Sequence, residues 1–273
     1  MISKLTQYFY EMKIFYDQLN RPISLANSPQ RIISLVPSQT ELLFDLGIGD
    51  KVVGRTKFCI HPVDEVKSIQ RIGGTKNLNI ELIKSLQPDL IIANKEENTK
   101  EQIDELAQHF PIWISDIQTL DDALDMISKV GELLDAEQKA KKMVSQIQAN
   151  FSVLKNTIPK KIIYFIWQNP YISVGSDTFI SAMLQNAGLE NVLKNKSRYP
   201  EISEDEIRNS DAEFLFLSSE PYPFKEKQKQ EFENLFPTKK IVLVDGEMFS
   251  WYGSRLIKAA DYFLKLRNEL TIS

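Results

Sequence analysis

Two stretches of this chain run through the same parts at the same spacing. Glu81-Leu-Ile-Lys-Ser-Leu-Gln-Pro-Asp-Leu-Ile-Ile and Asp205-Glu-Ile-Arg-Asn-Ser-Asp-Ala-Glu-Phe-Leu-Phe each pass from an acid through a short helical segment into an apolar run. An internal echo of this kind predicts a molecule built twice from one plan. The neighbouring segments agree. Arg31–Val36 reads as a buried strand between Pro29 and Pro37, and Ser38-Gln39-Thr40-Glu41 has the spacing of a capping box for a helix that stops at Gly47. Asn79–Leu86 and Thr99–Gln108 read as helices, Asp89–Ala93 and Ile112–Ser115 as strands, and a further helix runs from about Leu120 to Leu134.

The second half repeats this order. Strands are expected at Lys161–Trp167, Glu213–Leu217 and Lys240–Asp245, with helices at Ser176–Asn186, Ser203–Asn209, Lys225–Leu235 and about Tyr252–Asn268. AGLENVL, from Ala187, echoes LGIGDKVVG, from Leu46. Between the halves, 132–158 contains no Gly or Pro, and Ala140, Met143, Val144, Ile147, Phe151 and Leu154 recur at helical spacing before Pro159. The expected fold is α/β: two similar lobes with mostly parallel sheets joined by one long α-helix. The lobes are expected at 1–134 and 160–273, with the linking helix at 135–159.

Several functional classes are excluded early. A formal net charge of −4, with Lys and Arg mixed among acids, leaves no basic footprint for nucleic acid. Cys59 is the only cysteine, so an internal disulfide is impossible; His61 and His109 are the only histidines, too few for a His-rich metal centre. Cys59 and His61 lie two apart and still lack the remaining ligands of a closed zinc site, while His109 suits a helix end. The signatures of nucleophile elbows, phosphate loops, dinucleotide folds and zinc proteases are missing, and Gly73-Gly74-Thr75-Lys76 reads as a glycine turn. Neither a catalytic residue nor a cofactor is assigned. The opening segment, MISKLTQYFYEMKIFYDQLN, is broken by Glu11, Lys13 and Asp17, so it reads as neither a secretory signal nor a membrane span.

In parallel sheets, ligands bind beyond the carboxyl ends of the strands. Three segments fall there. Ser38 and Gln39 sit where a helix begins, with amides available to a polar or anionic group. Asn94 and Lys95 open the polar loop Asn94–Asn98. The stretch Gly246–Arg255 is unusually aromatic for a loop, so Phe249, Trp251 and Tyr252 are expected to meet a ligand, with Glu247 and Arg255 beside them and Trp167, Tyr171 and Tyr199 nearby.

These segments resemble the periplasmic cobalamin- and siderophore-binding proteins of ABC importers, whose two lobes are joined by a single long helix. The resemblance covers the chain from about Met12 onward. It is carried most specifically by Arg31-Ile-Ile-Ser-Leu-Val-Pro-Ser-Gln-Thr-Glu-Leu-Leu-Phe-Asp-Leu-Gly47, then by Asn79-Ile-Glu-Leu-Ile-Lys-Ser-Leu-Gln-Pro-Asp-Leu-Ile. It implies a binding protein, not an enzyme, that docks on a permease dimer through one acid per lobe; those positions fall on Glu81 and Asp205. Asp205 departs from the family's usual Glu, and Glu204 and Glu206 flank it. The cobalamin binder's aromatic cage maps to Phe58, Thr75, Asn94 and Tyr199, and its later acid–base pair to Glu247 and Trp251. Of the cage, Phe58 and Tyr199 are aromatic; Glu247 keeps the acid, and Trp251 stands where a base is expected.

The resemblance leaves three ligands open. A corrinoid is the leading one. A siderophore is expected to use Lys76, Lys95 and Arg255, and haem an axial Tyr199, Tyr252 or His61. It implies the periplasm or cell envelope, while the chain carries no export signal of its own, so a cytosolic small-molecule binding or sensing module of the same fold is the alternative reading. A third is an enzyme of unusual mechanism.

Overall fold

The computed structural model describes residues 12–154 and 159–272, and the chain gathers into two compact units. One holds the described residues up to Asp116 together with Met126–Lys141; the other holds Ile117–Asp125 and the described residues from Lys142 onward. Among the described residues no helix is long and apolar enough to cross a membrane.

The first unit opens with an antiparallel hairpin of β1 (Lys13–Tyr16) and β2 (Pro22–Leu25). β3 (Ile32–Ser34), α1 (Pro37–Asp45), β4 (Val52–Arg55) and β5 (Gln70–Arg71) follow. Then come α2 (Ile80–Ser85), β6 (Leu90–Asn94), α3 (Lys100–Ala107) and β7 (Ile112–Ser115). The sheet order is β5-β4-β3-β6-β7, all parallel. β3, β6 and β7 are buried along their whole length, which accounts for their unbroken apolar runs: a parallel strand with both faces covered has no polar side to alternate with.

β7 closes one edge of that sheet, and unpaired edge groups invite foreign strands. The hairpin turn covers it. Gln18 N–H donates to the Ile114 carbonyl at 3.1 Å, Ile114 N–H donates to the Asp17 carboxylate at 3.3 Å, and Arg21 donates to the Ile112 carbonyl at 3.2 Å. Asp17 is fully buried in this role, paired with Arg21 at 2.8 Å.

α4 (Leu120–Leu133) and α5 (Glu137–Ser152) each have residues in both units. The linking helix expected at 135–159 is shorter, 16 residues in α5, and 155–158 lie outside the described residues. Its start is set by Asp135, which turns left-handed at φ 56°, with Ala136 N–H bonding back to the Gly131 carbonyl at 2.7 Å. This is a helix stop that an Asp side chain tolerates. A Cβ at Gly131 would lie 2.3 Å from the Ala140 side chain, so the glycine is what lets α4 and α5 meet. The expected core face of α5 is observed: Ala140, Met143, Ile147 and Phe151 are buried.

The second unit contains β8 (Lys160–Trp167), β9 (Ile172–Ser173), α6 (Phe179–Asn186) and β10 (Leu189–Asn191). α7 (Glu204–Asn209), β11 (Phe214–Ser218), α8 (Glu226–Leu235) and β12 (Lys240–Val244) follow, and α9 (Gly246–Ser250) and α10 (Leu256–Ile272) end it. Its parallel order is β10-β8-β11-β12, with β9 antiparallel on β8. This is the order β4-β3-β6-β7 again, so the echo in sequence is an echo in topology. Its core is aromatic, with Phe165 edge-on to Phe232 at 5.1 Å and Ile163, Leu215 and Leu217 around them.

Candidate functional site

Each sheet has one point where the chain reverses its direction of travel. In the first unit it lies between β3 and β6, in the second between β8 and β11. The crevice beyond the carboxyl ends of such a strand pair is where open α/β sheets bind ligands. Among the residues assembled at these ends, the two units differ in chemistry.

The first unit's end is polar and largely satisfied from within. Thr40 donates from its hydroxyl to Ser34 Oγ at 2.8 Å, Gln39 Nε2 donates to Ser115 Oγ at 2.5 Å, and Asn94 Nδ2 donates to the same Ser115 oxygen at 3.0 Å. Asn94 is locked by accepting the amides of Glu96 and Glu97 at 2.8 and 2.9 Å. The basic groups here are engaged: Lys95 pairs with Asp116 at 2.5 Å and Lys76 donates to the Glu96 carbonyl at 2.5 Å. The capping box expected at Ser38 and Glu41 is not formed. Pro37, whose fixed φ suits the first helical position, starts α1 after Val36, which has no side chain to offer as a cap. Ser38 therefore lies inside the first turn. Among the described residues, the buried side-chain atoms with no hydrogen-bond partner are Ser28 Oγ, Ser38 Oγ, Gln39 Oε1 and Ser254 Oγ, and two of these four belong to this turn.

The second unit's end is aromatic and charged. Arg255 pairs with Glu247 at 2.6 Å and lies over the Trp251 ring, 4.6 Å from its centroid. The Trp251 indole N–H donates to the Glu220 carboxylate at 3.1 Å, and Ser250 also bonds it. Burial holds the Glu220 carboxyl above its ordinary range, with the Ser250 hydrogen bond opposing. Trp167, at the end of β8, is 40% exposed and edge-on to Tyr222 at 5.5 Å. No sequence motif marks Glu220 or Tyr222. Their signal is position alone, since both directly follow the apolar run that becomes β11.

Several expected ligand contacts are placed otherwise. Phe249 is fully buried and packs on Tyr164, Phe216 and Phe263 at 5.2, 6.4 and 4.7 Å; it is a core residue. The cause is α9: Asp245 accepts from Glu247 N–H at 3.1 Å and caps a helix where an open loop was expected, which turns Phe249 inward. Tyr171 is half-buried against Phe165 and Phe232, and Tyr252 is buried against Phe179 at 5.6 Å. Phe58 and Tyr199 remain accessible, 49% and 37% exposed, and the Arg198 guanidinium lies 5.4 Å from the Tyr199 ring. The base that meets Glu247 is Arg255. Cys59 is buried at 3.2 Å from Thr56 Oγ1, and burial pushes its thiol up. A separate cavity of about 250 Å³ in the first unit, lined by residues including Lys13, Phe15, Leu25 and Leu133, shares no residue with this end.

Glu81 and Asp205 occupy one position twice. Each is the second residue of its helix, α2 after the cap Asn79 and α7 after the cap Ser203, and both are exposed. Glu81 is 3.1 Å from Lys84 while its side chain stays 84% exposed. Of the acids beside Asp205, Glu204 pairs with Arg208 at 3.0 Å and Glu206 with Lys196 at 2.5 Å.

The model of the periplasmic binding protein family matches residues 32–236. A vitamin B12-binding protein of Vibrio parahaemolyticus is 29% identical over 225 residues, 80% of this chain and 79% of the relative. An uncharacterised ABC transporter substrate-binding lipoprotein of Bacillus subtilis is 27% identical over 263 residues, 90% of this chain and 82% of the relative. A periplasmic haem-binding protein of Vibrio cholerae shares the fold at a TM-score of 0.74 and 20% identity, covering 87% of this chain and 98% of that one. The family match runs from β3 through α8 and so takes in most of both repeats: the chain belongs to the periplasmic binding protein family.

Proposed function

We propose that this chain is the solute-binding component of an ABC importer, taking a corrinoid-like metal chelate at the carboxyl ends of its sheets and docking on a permease dimer through Glu81 and Asp205. The observation that carries the reading is the recurrence of one exposed acid at the second position of α2 and of α7. A helix-start acid stabilises its own helix by tenths of a kcal/mol, which any nearby acid supplies equally well. Repetition at the same position of both repeats suits a partner that itself presents one surface twice. Glu204 and Glu206 are engaged within α7's own surroundings, which leaves Asp205 as the outward acid.

The ligand class is supported by two features and by the vitamin B12-binding relative. Phe58, Trp167 and Tyr199 offer exposed aromatic surface suited to a large, partly apolar molecule. Lys76, Lys95 and Arg255, the cations that an anionic siderophore or the haem propionates would use, already have partners.

Two experiments test the two parts. Tryptophan fluorescence titrated with cyanocobalamin, haem and a ferric hydroxamate is expected to give the tightest binding for the corrinoid; silence with all three sinks the ligand class. In liposomes carrying the cognate permease and its ATPase, Glu81→Arg with Asp205→Arg is expected to abolish stimulation of ATP hydrolysis while leaving the titration unchanged. Undiminished stimulation by that double variant would refute the docking role.

A further inference from the structure

Resting on the binding function proposed above, we infer that the first turn of α1 selects a primary amide on the ligand over a carboxylate, with Gln39 as the discriminating residue. Ser38 and Gln39 are 3% and 1% exposed, and each carries one buried polar atom without a hydrogen-bond partner, Ser38 Oγ and Gln39 Oε1. The turn also has amides to offer. Pro37 lacks an N–H, and the early amides of a helix have no intrahelical acceptor; here no side chain caps them. The turn thus presents donors, from the Ser38 hydroxyl and the backbone, beside one acceptor, Gln39 Oε1.

That Oε1 is the atom left without a partner follows from the surrounding bonds. Asn94 Oδ1 accepts two amides, which fixes Nδ2 toward Ser115. Ser115 Oγ accepts from that Nδ2 and directs its own proton to the Ala93 carbonyl at 3.2 Å. The remaining contact, at 2.5 Å from Gln39, is then made by a donor, Nε2. Turning the Gln39 amide over would draw the Ser115 proton away from the Ala93 carbonyl.

A primary amide answers both needs with one group: its carbonyl takes the donors of the turn and its N–H reaches Gln39 Oε1. A carboxylate answers one. Its second oxygen would face Gln39 Oε1 lone pair to lone pair, and Lys95 and Lys76 are held by Asp116 and by the Glu96 carbonyl. The helix dipole favours the anion only modestly, whereas sites built to receive an N–H strongly reject an analogue without one. Corrinoids carry primary amides around the ring, and haem carries carboxylates.

The test uses cyanocobalamin and its three monocarboxylic acids, in each of which one propionamide has become a carboxylate. At pH 7 at least one acid isomer is expected to bind this protein about tenfold or more weakly than the parent. The same isomer is expected to recover at pH 4, where its protonated acid again offers a hydrogen to Gln39. Gln39→Met removes the acceptor and is expected to bring parent and acid within about twofold, whereas Gln39→Glu keeps an acceptor, adds a charge and is expected to widen the gap. A merely structural role for Gln39 would move both variants in one direction, and urea unfolding of each separates lost folding from lost selectivity. Equal binding of the parent and all three acids to the unaltered protein overturns the inference and leaves the broader function standing. Failure of every corrinoid to bind defeats both, and it is told apart by haem or a ferric hydroxamate binding instead.

Discussion

α1 and α6 hold the same place in the two repeats, yet their first turns are finished differently. In α6 the cap is Thr178, whose hydroxyl oxygen accepts from Ser181 N–H at 3.2 Å and whose proton goes to the Gly175 carbonyl at 3.1 Å. In α1 the cap position holds Val36, and Thr40 turns inward to Ser34 and the Val36 carbonyl. One repeat closes its helix start with its own side chains; the other leaves buried donors and an acceptor open. The next helices agree where these differ. α2 and α7 are both capped, by Asn79 and Ser203, and both expose an acid at the second position. Divergence marks the end proposed to meet the ligand, and agreement marks the surfaces proposed to meet a two-fold partner.

The largest effect expected from breaking this comparison lies in the second unit, whose end rests on packing. Phe249→Ala is expected to cost about 3–5 kcal/mol in urea unfolding, as for a large aromatic removed from a closed core. A loss under about 1 kcal/mol would return Phe249 to the ligand side and undo its assignment to the core. The helix starts give a smaller and sharper contrast. Thr178→Ala is expected to cost about 1 kcal/mol, while Ser38→Ala, which loses no bond, is expected to stay within about 0.5 kcal/mol of the original. Equal losses in the two variants would mean that α1 is capped after all.

Much of this was legible in the chain because it rests on spacing. The acid–helix–strand echo located α2, β6, α7 and β11, and Gly47 and Gly188 mark matching helix ends, both left-handed at φ 77° and 70°. The second strand of each repeat was not legible. Val52-Val53-Gly54-Arg55 and Leu189-Glu190-Asn191 are too short and too mixed to show a period; their strand character comes from the neighbours they pair with, β3 and β8. Ser38 and Gln39 could be picked out from where a helix begins, but their significance rests on partners distant in sequence, Ser115 and Asn94. The aromatic stretch after β12 misled for a similar reason. Without the Asp245 cap in view, a buried Phe and a ligand-facing Phe look alike.

The smallest predicted effect separates the two helix starts that otherwise agree. α2 is capped by a neutral amide, Asn79 Oδ1 accepting from Leu82 N–H at 3.0 Å. α7 is capped by a box in which Ser203 N–H donates to the Glu206 carboxylate at 2.9 Å and Glu206 N–H donates to Ser203 Oγ at 3.2 Å. The Lys196 ammonium, and then the Ser203 amide, hold Glu206 down from 4.5 to about 2. A carboxyl depressed in the folded state contributes its stability fully above its unfolded value and loses it as pH falls toward the folded one. The α7 box is therefore intact above about pH 4.5 and released as pH approaches 2, whereas the Asn79 cap has nothing to titrate. Carbon-13 carboxyl shifts and amide shifts followed down the acid range are expected to show Glu206 and Ser203 moving together, with Leu82 still until the protein unfolds. Concerted movement of Leu82 and Ser203 would show that both report global unfolding. If they separate, acid loosens the helical setting of Asp205 before that of Glu81, so the two acids proposed to dock, which look equivalent at neutral pH, are held by unlike chemistry.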